Sequence, residues 1–408
     1  MDKKNIAVFF GGKSFEHDVS ILTGLEACYA LDTEKYNVIP VYVDLQNHLW
    51  TGDALLSKDF YPLNEINKKI INKSEILIGE EKPTIQIQKQ KMFNKSLEKI
   101  TFDVALLAFH GEYGENGPFQ GLFELMDVPY TGCRTLSASV CMNKSVAKTL
   151  VSSVGVPVLD EILIKRPTND QFFDVDDFTK QMSFKFPVIV KPTALGSSIG
   201  VSKANNKDEL NVSVLQIFAL GDDVLIEPFV ENLEEYNISL TKAVDGEVKC
   251  SIIEHPLKKN AEFLGFVEKY MSNSGGKRGC KKAGSKLMSA SERAGLLSLT
   301  RDFEIKELTE SQKEQIKAWA IDAFDVLECN GIVRIDFMHN SKTKDFYFTE
   351  ANTIPGSFAY YLWEASEPSY TYTDLRDFLI NEAIELHKSK KGNIILSSSK
   401  SKIFKEKE

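Results

Sequence analysis

The chain alternates short apolar runs with stretches whose apolar residues recur at helical spacing, a pattern that predicts α/β architecture. Ile6 to Phe10 reads as a buried strand that Gly11-Gly12 turns into a helix starting near His17. Val38 to Val43 and Val104 to Phe109 predict two more strands. Val188 to Lys191, Val224 to Ile226, Tyr236 to Leu240, Ile332 to Phe337 and Phe346 to Thr349 predict others, with a helix over roughly Ser311 to Leu327. Leu55 to Glu98 is polar and weakly periodic and reads as peripheral decoration. Between Met271 and Arg301, Gly275, Gly276, Gly279 and Gly284 are mixed with Lys277, Arg278, Lys281, Lys282 and Lys286. That texture fits a plain linker. Its place inside one domain, between a strand expected to end near Tyr270 and the helix, also fits a lid. The Lys- and Ser-rich tail after His387 reads as disordered, and no internal repeat is visible.

Composition narrows the classes. A chain of 408 residues suggests two or three domains, and 43% hydrophobic with 26% charged residues suggests a soluble globular protein. A net charge of −9 speaks against a nucleic-acid partner, although local lysines can still bind small anions. The cysteines (Cys28, Cys133, Cys141, Cys250, Cys280, Cys329) form no CxxC pair and have no His at metal-site spacing, so free thiols in a reducing compartment are expected. The apolar run at Ile6 is too short for a signal peptide, and no stretch approaches the roughly 20 apolar residues of a membrane span. A cytoplasmic protein with no membrane partner is the expectation.

Four segments carry candidate chemistry. Gly11-Gly12-Lys13-Ser14, then Phe15 to Ser20, put a glycine turn between a strand and a helix start, which serves either as an anion or carboxylate site or as a plain tight turn. His110 to Gly117 follows the third strand, where polar groups line the carboxyl edge of a parallel sheet. Lys191 closes an apolar strand and precedes the turn Gly196-Ser197-Ser198; a buried lysine needs an anion, and the turn offers N–H groups and hydroxyls to a phosphate. Arg334 and Asp336 share one face of a strand by period-two alternation, with Glu350 and Asn352 likewise spaced on the next. Two carboxylates and an amide beside an arginine suit a magnesium–phosphate site, and a simple Arg334–Asp336 salt bridge is the plainer alternative.

In these residues and their neighbours the chain resembles the D-alanine–D-alanine ligases of the ATP-grasp superfamily over most of residues 4 to 385. The resembling segments are GGKSFEHDVS, HGEYGENGPFQGLFE, PYTGCRTLSASVCMNK, VIVKPTALGSSIG, LIEPFVENLEEYNIS, EKY, GIVRIDF and EANTIPG. The resemblance implies an α/β fold in which a Rossmann-like preATP-grasp N-terminal domain (1–132) precedes a small ATP-grasp lobe (133–226) and a large one (227–388). A disordered tail (389–408) would follow. It implies ATP as nucleotide, held by Lys144, Lys191, Ser198 and Lys269 at the phosphates and by Glu227 with the backbone of Phe229 and Val230 at the adenine. Glu235 would hold the ribose, with Glu234 as competitor because the spacing from Glu227 is one residue long. Asp336, Glu350 and Asn352 would hold magnesium or manganese. Arg334 and the Gly356 N–H would form an oxyanion site, Glu16 would hold the first substrate's amino group, and Ser197 and Tyr270 would join Glu16 in a set tying the lid to the site. His110 would lie near the substrates.

The pattern also departs from that family. Tyr361 stands where a Ser contacting the second substrate's carboxylate is usual, leaving Ser357 as alternative donor, and Leu195 replaces an acid in the phosphate loop. Leu299 to Glu304 stand where a Pro-Ala pair normally follows the lid. The resemblance implies small-molecule partners, D-alanine or a similar compound, and a homodimer. Three functions follow as expectations: D-alanyl-D-alanine synthesis for the cell wall, the same ligation with another second substrate, or a catalytically silent nucleotide-binding regulator.

Overall fold

The computed structural model describes residues 3–61, 63, 67–90, 95–168, 174–180, 182–257 and 301–390. Three sheets organise them. The first runs β6-β5-β4-β3-β2-β1-β7, with β1 Lys4–Gly11, β2 Tyr36–Val43, β3 Leu49–Thr51, β4 Asn72–Leu77, β5 Thr84–Gln90, β6 Lys95–Thr101 and β7 Val104–Leu107. β1 lies parallel between β2 and β7, and Ile6 to Phe10 are fully buried because helices cover both faces. Helix His17–Ala30 supplies part of that cover, and helix Tyr372–Lys390 adds Leu375, Leu379, Ile380 and Ala383 to the same core.

The stretch from Leu55 to Glu98 is more than decoration. β4, β5 and the start of β6 extend the sheet antiparallel beyond β3. Its polar alternation, as in Thr84-Ile85-Gln86-Ile87, is the signature of a sheet with one buried face, with Ile85 and Ile87 turned inward.

The second sheet, β10-β9-β11-β8, is antiparallel: β8 Ile162–Ile164, β9 Val188–Pro192, β10 Ser202–Ala204 and β11 Val224–Pro228. The third, β14-β13-β12-β15-β16, comprises β12 Leu233–Thr241, β13 Lys249–Pro256, β14 Arg301–Asp302, β15 Ile332–Asn340 and β16 Phe346–Asn352. Helix Glu310–Val326, started by a capping box at Thr309 and Gln312, covers one face, packing Ile316, Ala320 and Phe324 against Tyr236, Ile238, Ile335 and Phe337. The expected strands within the described residues are present, each longer by a residue or more at one end or both, except β7, which stops at Leu107; the strand expected to end near Tyr270 lies outside them. Among the described residues the five cysteines are free thiols, and no helix is long and apolar enough to cross a membrane. Lys269, Tyr270, the Met271–Arg301 stretch up to residue 300, and the tail from 391 lie outside the described residues, while the start of the expected disordered tail, Lys388 to Lys390, closes helix Tyr372–Lys390.

Candidate active site

Because β1 and β7 run parallel, the loops that follow them emerge at one edge of the first sheet. Ser20 joins them, accepting from the Gly11 N–H at 2.8 Å and donating to the Ala108 carbonyl at 2.9 Å. His110 and Glu16 thereby come to one cleft. His110 Nε2 lies 2.8 Å from Thr23 Oγ1. Burial, with Arg334 nearby, lowers the imidazole pKa to about 3, so the ring is neutral at ordinary pH. Glu115, on the same loop, accepts from the Gly111 N–H at 2.6 Å and from the Ile354 N–H at 3.1 Å. Burial and the charge of Glu16 raise its carboxyl to about 8. Glu115 belongs to the motif quoted above, yet only this geometry shows that it fastens the loop to the segment beyond β16.

The second sheet contributes the turn after β9. Asp222 pins its start, accepting from Thr193 Oγ1 and the Ala194 N–H, each at 2.7 Å. Ser197 and Ser198 then take left-handed φ angles of 52° and 59°, and Ser197 Oγ donates to Glu16. At Gly196 a Cβ would stand 2.5 Å from Glu16 Oε2, so this approach requires glycine. Lys144 begins its helix capped by Asn143, whose side chain accepts from the Val146 N–H at 3.1 Å. Its Nζ donates to the Leu195 carbonyl at 2.8 Å and lies 3.5 Å from Glu350 Oε2.

Lys191 meets Glu227 Oε2 at 2.7 Å, and Lys148 takes Oε1 at 2.6 Å. All three are buried. Burial alone would raise Glu227, but the lysines outweigh it and hold the carboxyl below its usual range. Burial is also the main cause that lowers Lys191, against the pull of Glu227. Sequence reasoning passed over Lys148; its one signal was the i, i+4 spacing from Lys144, which sets both on one helix face. Phe229 spends its N–H on the Pro187 carbonyl at 3.2 Å, and Lys203 Nζ sits 3.9 Å from the centre of its ring.

In the third sheet, strand register lines up Glu254, Asn237, Asp336 and Glu350 as successive cross-strand partners on β13, β12, β15 and β16, hence on one face. Arg334 opposes Asn352 in the neighbouring row. Glu235 shares this face by alternation, opposite Met338. Glu234 points to the other face, where it accepts from Tyr236 OH and meets His339 Nδ1, both at 3.0 Å. Arg334 holds Asp336 through Nε and Nη2, each at 2.6 Å, and Asn352 Nδ2 reaches Asp336 Oδ2 at 3.1 Å. The plainer alternative, an Arg334–Asp336 ion pair, is therefore real, but it is largely buried, with Arg334 at the cleft. The donor set fits a hard divalent cation: two carboxylates and an amide on adjacent strands, with a lysine and an arginine beside them for a phosphate.

Together these elements border one partly open cleft. Glu16, His110, Glu115, Lys144, Gly196, Arg334, Glu350, Asn352 and Gly356 line it. Lys191, Glu227 and Val230 are buried, and they, Ser197, Ser198, Phe229, Glu235, Asp336, Ser357 and Tyr361 are not among the lining groups. The Tyr361 hydroxyl has partners of its own. It donates to Glu254 Oε1 at 3.2 Å and accepts from Arg301 Nη1 at 2.7 Å, with the Arg301 guanidinium carbon 4.4 Å from its ring centre. Glu254, fully buried, also holds Arg301 and accepts from Asn237 Nδ2 at 2.9 Å. Nothing in the spacing foretold this network, because it depends on which residues of β13, β14 and helix Tyr360–Glu364 meet in space.

Residues 5–133 match the family model described as D-ala D-ala ligase N-terminus, and residues 150–287 and 300–381 match that described as D-ala D-ala ligase C-terminus. A D-alanine–D-alanine ligase of Thermosipho africanus is 34% identical over 394 residues, 96% of each chain. The structure of a D-alanine–D-alanine ligase from Coxiella burnetii superposes with a TM-score of 0.75 at 25% identity, covering 96% of each chain. A D-Ala:D-Ser ligase from Enterococcus faecalis, 22% identical, has the same fold, with a TM-score of 0.68 over 95% of this chain and all of that one.

Proposed function

Since this chain belongs to the D-alanine–D-alanine ligase family, with its ATP-grasp fold, we propose that it joins two D-alanines at the expense of ATP, supplying a peptidoglycan precursor, and that the cleft is where it does so. The observation that carries this reading is convergence: Glu16, Lys144, Arg334, Glu350 and Gly356, from separate elements, face one cleft.

In the reaction, a carboxylate oxygen of the first D-alanine attacks the γ-phosphorus, the bond to the bridging oxygen breaks and ADP leaves, giving an acyl phosphate. The amine of the second D-alanine then attacks the acyl carbon, and the tetrahedral intermediate expels phosphate as the nitrogen loses a proton. Lys144 and Lys191 offset phosphate charge. Asp336, Glu350 and Asn352 would hold magnesium or manganese, which supplies charge neutralisation at the phosphates when bound. Arg334 and the Gly356 N–H stabilise the oxyanion, and Glu16, oriented by Ser197, holds the first amino group. Glu227, each of whose oxygens meets one lysine and can accept a further donor, takes the adenine amino group beside the backbone of Phe229 and Val230. Ser198 adds a phosphate donor, Glu235 the ribose contact, and neutral His110 can hydrogen-bond a substrate without adding charge. The tripartite division of the chain, its homodimerisation and its cytoplasmic location belong to the same proposal.

A second reading, ligation to a different acceptor, is favoured by one observation: Tyr361 spends its hydroxyl on Glu254 and Arg301, which leaves Ser357 as the hydroxyl nearest Gly356. ADP release measured across D- and L-amino acids and D-hydroxy acids separates the two. D-alanine alone should saturate both steps, and Glu350→Gln should abolish turnover while the protein stays folded. Activation by D-alanine with better saturation by another acceptor supports the second reading. No D-alanine-dependent ADP release refutes both.

A further inference from the structure

Beyond Gly356 the backbone passes through three consecutive non-glycine residues in the left-handed region: Ser357 (φ 50°, ψ 26°), Phe358 (φ 55°, ψ 28°) and Ala359 (φ 49°, ψ 29°). L-residues avoid this region because Cβ crowds the following carbonyl oxygen, and they seldom occupy it in succession. Such a run persists only where its surroundings over-determine it. Three local bonds contribute: the Ser357 N–H donates to Thr23 Oγ1 at 3.3 Å, the Phe358 N–H to the Pro355 carbonyl at 2.7 Å and the Tyr360 N–H to the Ser357 carbonyl. None of them grips the Phe358 side chain.

Arg376 does. Its guanidinium carbon lies 3.6 Å from the centre of the Phe358 ring and 4.7 Å from that of Tyr372, so the cation is wedged between two aromatic faces. Arg376 is 0% exposed, and none of Nε, Nη1 or Nη2 has a hydrogen-bond partner among the described residues. The charge of Glu26 favours the cation, yet a buried arginine with no hydrogen-bond acceptor among the described residues is costly, and an apolar residue of similar volume would commonly serve stability as well or better. Global stability is therefore a poor account of it, and its principal contact is the ring at the centre of the strained turn.

We propose that Arg376 is a positioning residue: by clamping Phe358 it locks Ser357–Ala359 in the left-handed turn and so fixes the Gly356 N–H and Ser357 at the cleft. The catalytic consequence rests on the ligase reading above; the clamp does not. Arg376→Met removes the cation and keeps the bulk. In the full-length protein its melting temperature should equal or exceed that of the native chain. Its kcat for D-alanine-dependent ADP release should fall about tenfold or more with the KM for ATP within twofold, since the turn meets the reacting carbonyl and not the nucleotide. Arg376→Lys should recover part of the loss. Hydrogen exchange of a peptide spanning 352–362 should accelerate in Arg376→Met and not elsewhere. Unchanged kcat and unchanged exchange overturn the proposal, as does a uniform acceleration across the chain, which marks a structural role only. If Arg376→Met fails to fold, Phe358→Leu, which removes the ring and spares the arginine, decides by the same two measurements. A native chain without D-alanine-dependent turnover would sink the ligase reading, and exchange alone would then judge the clamp.

Discussion

Lys191 and Lys148 share one buried carboxylate, Glu227, at 2.7 and 2.6 Å. Such sharing gives a buried lysine a counter-charge until a phosphate competes for it. Lys191→Ala should weaken binding of an ATP analogue about tenfold or more, the worth of one charge-assisted contact, and Lys148 should keep Glu227 compensated so that the fold survives. Calorimetric titration checks this, and unchanged affinity removes Lys191 from the phosphate site. Glu115 gives a pH signature. Its carboxyl rises from about 4.5 in the unfolded chain to about 8 in the fold, so the native state binds the extra proton. The stability this contributes is fully present below pH 4.5 and is lost as pH rises through 8, by up to about 1.4 kcal/mol per pH unit. Glu382, raised by burial to about 7, slopes the same way over an overlapping range. Comparison with Glu115→Gln isolates Glu115: denaturant unfolding of the ligand-free variant should lose part of the slope and gain relative stability above pH 8. Parallel pH curves for the two proteins would contradict the raised value.

At the scale of elements, the short strand β14 is held to the third sheet by two rungs, His255 with Asp302 and Pro256 with Arg301. Side chains add the Arg301–Glu254 ion pair and the Arg301 stack on Tyr361. Glu254 is fully buried, and its carboxyl stays below the usual range because Arg301 and Arg334 outweigh the effect of burial. Arg301→Met should therefore cost about 3 kcal/mol or more, since it strands a buried charge. Arg301→Met with Glu254→Gln should recover much of that loss. Urea unfolding of the single and double variants tests the coupling, and additive losses would mean that the two side chains act independently.

At the scale of the molecule, the site exists only where sheets meet. Ser197 of the second sheet bonds Glu16 of the first, Glu115 of the first holds Ile354 beyond the third, and Lys144 stands beside Glu350. The tightest of these meetings is Gly196 against Glu16, where an added Cβ would come within 2.5 Å of the carboxylate oxygen. Gly196→Ala should push the two apart by a fraction of an ångström and lower kcat/KM roughly tenfold or more, with little change in melting temperature because neither core is touched. Full activity in that variant would show that Glu16 needs no such approach.

Sequence alone sufficed wherever period or local chemistry decides. The apolar run at Ile6 to Phe10 made a buried strand, the alternation Arg334-x-Asp336 put both side chains on one face, and Gly11-Gly12 and the Gly196 turn followed from backbone demands. Family-typical segments carried the fold and the cleft's outline, although the partners that close the cleft, such as Ser197 with Glu16 and Ile354 with Glu115, lie far apart along the chain. The antiparallel extension through β4 to β6 was missed because each strand is weak by itself and gains its identity from pairing. Lys148, Glu254, Arg301 and Arg376 were likewise out of reach. Their significance lies in burial and in partners distant along the chain, such as Phe358 for Arg376 and Tyr361 for Arg301. A linear pattern records which residues are polar, but only the packed structure decides which polar group is shut away from water and what it must face there.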